Sequence, residues 1–323
     1  PFPLLAAPSG AAAFGGLVFG VGMVLAGGCV VGTLYRMGAG NALSAVAFLG
    51  LIAGSALYAE LYPAWRRVAE ATALMGMPLT VAEGLTTRPT SVVLVAAAAT
   101  GVMFWQWHRR GLWVQRSGAR GALAPWKASV ALAFVSLGAY ALTGMPLGIT
   151  TCYAKLAASL EALLAPAHVA QLAYFQTVPL DADLPLLGLH LRGGPGPTWD
   201  SIATVQGMVI LGICLGAFGS AVRLGELRPV IRVPARQYAS ALLGGVLLAL
   251  GSRFAHGCNV WYLMGGLPIL ATQSLLFLSG MVPGAWLGAR LFARFVVPAA
   301  EPVHVCAAYA AGREKKVGAT WNP

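Results

Sequence analysis

Two short stretches decide how this chain is read: Ala26-Gly27-Gly28-Cys29-Val30 and Ala255-His256-Gly257-Cys258-Asn259. Each ends an apolar run and interrupts it with a Gly-Cys pair. When the cysteines are aligned, Gly22 falls on Gly251. Past a one-residue gap, Phe48-Leu49-Gly50-x-x-x-Gly54 falls on Leu278-Ser279-Gly280-x-x-x-Gly284. A Cys, a Gly and a Gly-x-x-x-Gly at matched spacing indicate a duplicated unit, with copies at about 11–59 and 239–289.

The composition around these stretches sets the solvent. Hydrophobic residues make up 58% of the 323 positions, and the mean hydropathy is +0.74. Only 10% of residues are charged, against about 25% in a typical soluble domain. Such a chain cannot cover itself with a polar surface, so a bilayer is its natural surrounding, and the length suffices for several spans of about 20 residues. The 41 glycines then read as close helix packing rather than flexible loops. Gly280-x-x-x-Gly284-x-x-x-Gly288 and Gly212-x-x-x-Gly216 are the expected packing stripes. The fold class expected is an all-α polytopic membrane protein, a single transmembrane domain over 1–323.

Apolar segments lie at about 11–27, 41–59, 91–107, 127–143, 201–222, 239–255 and 267–289, with a shorter Pro-interrupted element around Cys152. The loops between them differ in charge. Residues 108–127 carry Arg109, Arg110, Arg116, Arg120 and Lys127 and no acid; 223–236 carry Arg223, Arg228, Arg232 and Arg236 against Glu226. Under the positive-inside rule these are cytoplasmic, as is the tail at about 292–323 with Arg313, Lys315 and Lys316. Residues 60–90 and 161–200 are balanced or acidic and read as periplasmic. The formal net charge of +11 follows from this loop bias. The basic residues form no aromatic-lined face, so nucleic-acid binding is not indicated. The location expected is a bacterial inner membrane, multi-pass, with the C-terminus cytoplasmic.

The charge map also gives the repeat a direction. The first unit ends outside and the second inside, so the copies are inverted. Inverted repeats with interrupted helices place their breaks near the middle of the bilayer, where substrate sites lie. A Gly-Gly-Cys or His-Gly-Cys break frees backbone N–H groups that must find a partner in protein or in a water-lined cavity. A short helix starting after the break aims donors and positive dipole at that cavity, which suits a small oxyanion. The thiol is a weak donor and a soft, polarizable neighbour.

Cys29 and Cys258, with Gly28 and Gly257, are the first candidates for a substrate path. The plainer reading makes each cysteine a small core residue at a tight crossing. Arg36 and Arg253 either face the path or snorkel from a helix end. His256 either donates to an anion or caps a turn. Asn259 and Thr33 are further polar candidates. Cys152, in Gly148-Ile149-Thr150-Thr151-Cys152-Tyr153, lies at another break, with Thr151 beside it. Cys214 reads as packing and Cys306 as unrelated to transport. Five cysteines without a C-x-x-C pair do not form a disulfide framework or a zinc site. No metal or cofactor is expected, and nothing reads as a phosphate-binding G-x-x-x-x-G-K-[ST] loop. No Ser-His-Asp or paired-carboxylate constellation stands out, so the chain is not expected to be an enzyme.

The run Leu25-Ala26-Gly27-Gly28-Cys29-Val30-Val31-Gly32-Thr33-Leu34-Tyr35-Arg36-Met37-Gly38-Ala39-Gly40 resembles the signature of the YeeE/YedE sulfur-transport family. Gly257-Cys258-Asn259 followed by Gly265-Gly266-Leu267, and Gly148-Ile149-Thr150, are similar to two further family regions. The resemblance covers most of 15–290. It implies thiosulfate uptake by an hourglass-shaped fold with inverted repeats and broken helices. It further implies passage between cysteine thiols by transient S–H···S contacts, with Cys29 and Cys258 as two of three path cysteines. The third, in an N-terminal Gly-Arg-Phe-Cys motif, has no match in this sequence. A TusA-like sulfurtransferase is the implied inner acceptor. Two other classes stay open at this point. One is a non-transporting membrane subunit that scaffolds a larger complex. The other is a membrane thiol enzyme moving sulfane sulfur covalently, which a raised thiol pKa in apolar surroundings disfavours. Another sulfur or selenium species is the alternative solute.

Overall fold

The computed structural model describes residues 8–74, 77–84, 89–112, 123–143, 148–184, 188–227, 231 and 233–296. The expectations for Arg116, Arg120, Arg228, Arg232, Cys306 and the tail beyond 296 lie outside these residues.

The described residues are predominantly helical, as the composition requires, because in lipid every backbone polar group must be paired within the chain. Helix α1 (Gly10–Leu25) breaks before α2 (Val30–Gly38), and α3 (Ala42–Ala71) follows. After α4 (Val81–Gly84) come α5 (Pro89–Arg109) and α6 (Pro125–Thr143). Then α7 (Thr150–Leu164) and α8 (Pro166–Gln171) lead into an antiparallel hairpin, β1 (Leu180–Leu184) with β2 (Leu189–Gly193), which pairs Leu180 with Gly193. Helices α9 (Ser201–Leu224) and α10 (Ala235–Phe254), a wide turn over Trp261–Gly266, and α11 (Thr272–Phe295) complete the described fold.

Six helical stretches among the described residues are long and apolar enough to cross a membrane: Gly10–Gly38, Ala42–Ala71, Thr90–Arg109, Pro125–Leu142, Ser201–Leu224 and Thr272–Phe295. The chain is a polytopic membrane protein. Two helices run past the apolar segments expected for them. The apolar segment near 41–59 is only part of α3, which continues to Ala71 and carries Glu60, Arg66, Arg67 and Glu70 in its last turns. The segment near 239–255 belongs to α10, which includes Arg236, Gln237 and Arg253 and is not among those six. It packs against α1 and α3, so protein replaces lipid along those faces.

Glycine decides the central packing. On α1, a Cβ at Gly16 would lie 2.2 Å from the Phe277 carbonyl oxygen, and one at Gly20 2.3 Å from that of Met281. On α11, Gly280, Gly284 and Gly288 meet Ala13, Leu17 and Val21 in the same parallel register. Helices α3 and α10 repeat this contact, with Gly50 against Leu242 and Gly54 against Val246. Helices α1 and α10 cross antiparallel. Gly22 meets Gly244 and Leu248, while Gly251 meets Gly15 and Phe19. The shift that pairs Gly22 with Gly251 also pairs Gly15 with Gly244, Phe19 with Leu248 and Cys29 with Cys258. The crossing is therefore reciprocal.

The stripe at Gly212 and Gly216 behaves differently from expectation. No atom would lie within 4 Å of a Cβ at either position. That face of α9 is exposed, because α9 packs on α2 and α7 through its other side. Helices α5 and α6 are largely exposed too, with Leu94, Phe134 and Leu137 outward, as the lipid-facing wall of such a protein requires.

On the side where α1 and α11 begin, the elements are tied together. The Gly10 amide donates to the Thr72 carbonyl at 3.0 Å. The Thr272 hydroxyl donates to Pro78 O at 2.8 Å, and the Val81 amide to Leu270 O at 3.0 Å. Nearby, Lys155 and Asp200 form a buried ion pair at 2.7 Å. Lys155 also donates to the carbonyls of Gly196 (2.9 Å) and Thr198 (2.7 Å). Asp200 caps α9 through the Ala203 amide at 3.0 Å. All three protons of the ammonium are used, which is how a buried lysine is tolerated.

Candidate functional site

The two breaks are built alike. Gly27 (φ +75°) and His256 (φ +65°) take the left-handed conformation that turns the chain out of α1 and α10. In the first break the Gly28 amide reaches back to the Met23 carbonyl at 2.9 Å, closing a Schellman-type end. The next turn starts on the cysteine in both copies. The Thr33 amide donates to the Cys29 carbonyl (2.8 Å) and the Tyr262 amide to the Cys258 carbonyl (3.0 Å). Cys29 caps α2, its sulfur accepting from the Gly32 amide at 3.4 Å. At Cys258 the amides of Val260 and Trp261 face the sulfur. Each thiol thus sits among amides at a positive helix end, where negative charge is stabilised.

Cys29 is half-buried and Cys258 is 1% exposed. Cys258 belongs to one core cluster with Cys152, and Cys29 and Cys214 pack against its edge. Cys214 holds the Leu34 carbonyl through its thiol (3.8 Å), a packing contact to α2. The Cys152 amide donates to Gln206 Oε1 at 3.0 Å, so α7 and α9 meet there.

A cavity of about 520 Å³ reaches Cys258 from the side of the β-hairpin. Its walls include Tyr58, Tyr174, Thr151, Arg253 and His256, and no carboxylate is among its lining residues. Arg253 hangs from the wall, donating one terminal NH2 to the Thr150 carbonyl and lying over the Tyr174 ring at 5.9 Å. Its Nε is buried without a partner among the described residues. Of the two readings open for this arginine, the structure places it at the cavity. His256 is exposed on the same wall, so it turns the chain and faces the cavity at once. Gly257 gives room for this turn, since a Cβ there would come within 2.8 Å of the Trp261 ring.

The remaining candidates separate. Arg36 donates to the carbonyl of Gly27 in the first break but is exposed. Thr33 is buried, and its hydroxyl donates to the Cys29 carbonyl at 3.0 Å, so it holds the turn. Asn259 has a buried Oδ1 without a partner among the described residues. Gly28 lies beside Gly32 at the mouth of α2, where a Cβ would make only ordinary contact, 3.6 Å from the Gly32 backbone. Sequence reasoning did not single out Gln206, Gln273 or Tyr153. A polar residue within an apolar helix was the signal available for all three. Glu60, Glu161 and His168 also converge, with His168 Nε2 at 2.6 Å from Glu60 and 3.3 Å from Glu161, but all lie toward solvent, away from the cavity.

The residues of this site fall within a stretch matched by a known family. The family model described as sulphur transport matches residues 2–287. The chain is 31% identical over 280 residues to the thiosulfate transporter TsuA of Spirochaeta thermophila, covering 84% of this chain and 74% of that protein. It is 26% identical over 169 residues to the probable transporter YedE of Escherichia coli, covering 52% of this chain and 37% of that protein. The YedE protein of Salmonella typhimurium gives 25% over 190 residues, 58% of this chain and 41% of that relative. A match over residues 2–287, across helices broken at paired cysteines, places the chain in the sulphur transport family.

Proposed function

We propose that this chain carries thiosulfate, or a closely related sulfur anion, across the membrane from the Arg253 cavity past Cys258 to Cys29. One observation carries this reading: a cavity with no acidic residue among its described lining, bearing Arg253, ends on a buried thiol at a helix start. Thiosulfate has an oxygen end and a sulfur end. Arg253, His256 and the amides around Cys258 suit the oxygens. The thiols suit the terminal sulfur, as weak donors of low hydration. The name of the TsuA relative supports the choice of solute.

The reciprocal crossing of α1 and α10 supports reading 11–59 and 239–289 as inverted copies, each contributing one cysteine. Alternating access then places the second station, Cys29, toward the opposite face. The orientation follows from the loop charges: cavity outside, C-terminus cytoplasmic, inner membrane. Sulfur delivered inside would pass to a TusA-like sulfurtransferase, and the chain itself performs no covalent chemistry.

The test is growth on thiosulfate as sole sulfur source in a bacterium unable to import it, with membrane levels checked. Wild type should rescue growth, Cys214→Ala should too, and Cys29→Ala and Cys258→Ala should fail. A wild-type protein that reaches the membrane without supporting growth overturns the reading in favour of a scaffold or another solute.

A further inference from the structure

Tyr153 stands at the centre of the cysteines without an evident partner. It is 1% exposed, and its hydroxyl is buried with no hydrogen-bond partner among the described residues. It shares one core cluster with Cys152 and Cys258, and Cys29 and Cys214 pack against that cluster. All four thiols lie within electrostatic reach of its oxygen. Phe48 of α3 holds the ring edge-on at 5.6 Å. A phenol oxygen stripped of water and left unpaired costs about 1–3 kcal/mol. A phenylalanine would fill the same volume without that cost. The thiols around it are poor substitutes for water, being weak donors and weak acceptors.

We propose that the Tyr153 hydroxyl is a binding group for the anion at the constriction between Cys258 and Cys29, donating to an oxygen of the solute while its sulfur end passes between the thiols. This rests on the transport reading above. The geometry explains the open valence: the hydroxyl is satisfied only while a solute is in transit. It also adds a selectivity device. An anion needs an oxygen for Tyr153 and a soft sulfur for the cysteines at once. Thiosulfate meets both conditions, sulfate lacks a terminal sulfur and sulfide lacks the oxygen.

The test uses the full chain in proteoliposomes, with labelled thiosulfate uptake, thiosulfate binding read from tryptophan fluorescence, and thermal unfolding. Tyr153→Phe should lower the maximal uptake rate at least tenfold. It should leave binding at the outer cavity within twofold and stability equal or higher. Phe48→Leu, which loosens the same ring but keeps the hydroxyl, should retain most of the uptake. If Tyr153→Phe transports like the wild type, or Phe48→Leu loses as much uptake as Tyr153→Phe, the residue is packing and the proposal falls while thiosulfate transport stands. If wild type takes up no thiosulfate, the transport reading falls and the Tyr153 role falls with it.

Discussion

Gly27 and His256 occupy the same backbone state at the same place in the two breaks, one residue before each Gly-Cys pair. For glycine that state is free. For histidine the left-handed region costs about 1–2 kcal/mol. Strain retained at a cavity wall points from the outlier to a use for its side chain.

His256→Gly separates the two demands on this position. Removing the strain should stabilise the protein by about 1 kcal/mol, while loss of the imidazole should lower thiosulfate uptake several-fold. His256→Ala should lose uptake equally without the gain in stability. Thermal unfolding in detergent and uptake into vesicles read the two effects apart. A glycine variant with full uptake would remove His256 from the site.

Arg253 is the one arginine lining the cavity among the described residues. A hydrogen bond to a charged group contributes about 1.5–3 kcal/mol, which is roughly a 10- to 100-fold change in affinity. Arg253→Gln should raise the KM for thiosulfate by that factor, and Arg253→Lys should restore only part of it, because a lysine cannot hold the Thr150 carbonyl and the anion in one fork. Uptake kinetics across substrate concentrations check this.

The glycine stripes differ in a way single substitutions can measure. A Cβ at Gly284 would lie 2.2 Å from the Leu17 carbonyl oxygen, against backbone that cannot swing aside. Gly284→Ala should cost about 1–3 kcal/mol by overpacking. Gly212→Ala meets nothing within 4 Å and should be neutral or gain up to about 1 kcal/mol from helix propensity. Equal effects on melting temperature would contradict the packing described.

The Lys155–Asp200 pair predicts an acid limit. Burial pushes the Asp200 carboxyl up, but the Lys155 ammonium and the Ala203 and Gly194 amides outweigh it and hold the group below its ordinary value. With its folded pKa depressed, its contribution is complete above the unfolded value of about 4 and fades as pH falls through the lower folded value. Asp200→Asn should flatten that acid limb. It should also destabilise the protein at neutral pH, by up to about 3–5 kcal/mol, since Lys155 would stay buried without its counter-charge. Unfolding measured from pH 7 down to pH 3 checks both.

The sequence by itself settled the solvent, the helical class and the two breaks, because these depend on composition and local spacing. Gly-Cys within an apolar run cannot continue a helix unnoticed, and Gly280-x-x-x-Gly284 marks a close approach wherever its partner lies. It could not tell that stripe from Gly212-x-x-x-Gly216, which shares the pattern, because contact depends on which helix arrives opposite. It left Arg253 between two readings, since a helix-end arginine looks the same whether it faces a cavity or the interface. Tyr153 carried only the weak signal of a hydroxyl within an apolar helix, beside Cys152. Its importance comes from α3, α7, α9 and the two breaks converging on one hydroxyl. That convergence is long-range, and only the tertiary structure decided it, because burial and the loss of every hydrogen-bond partner are properties of the packed whole.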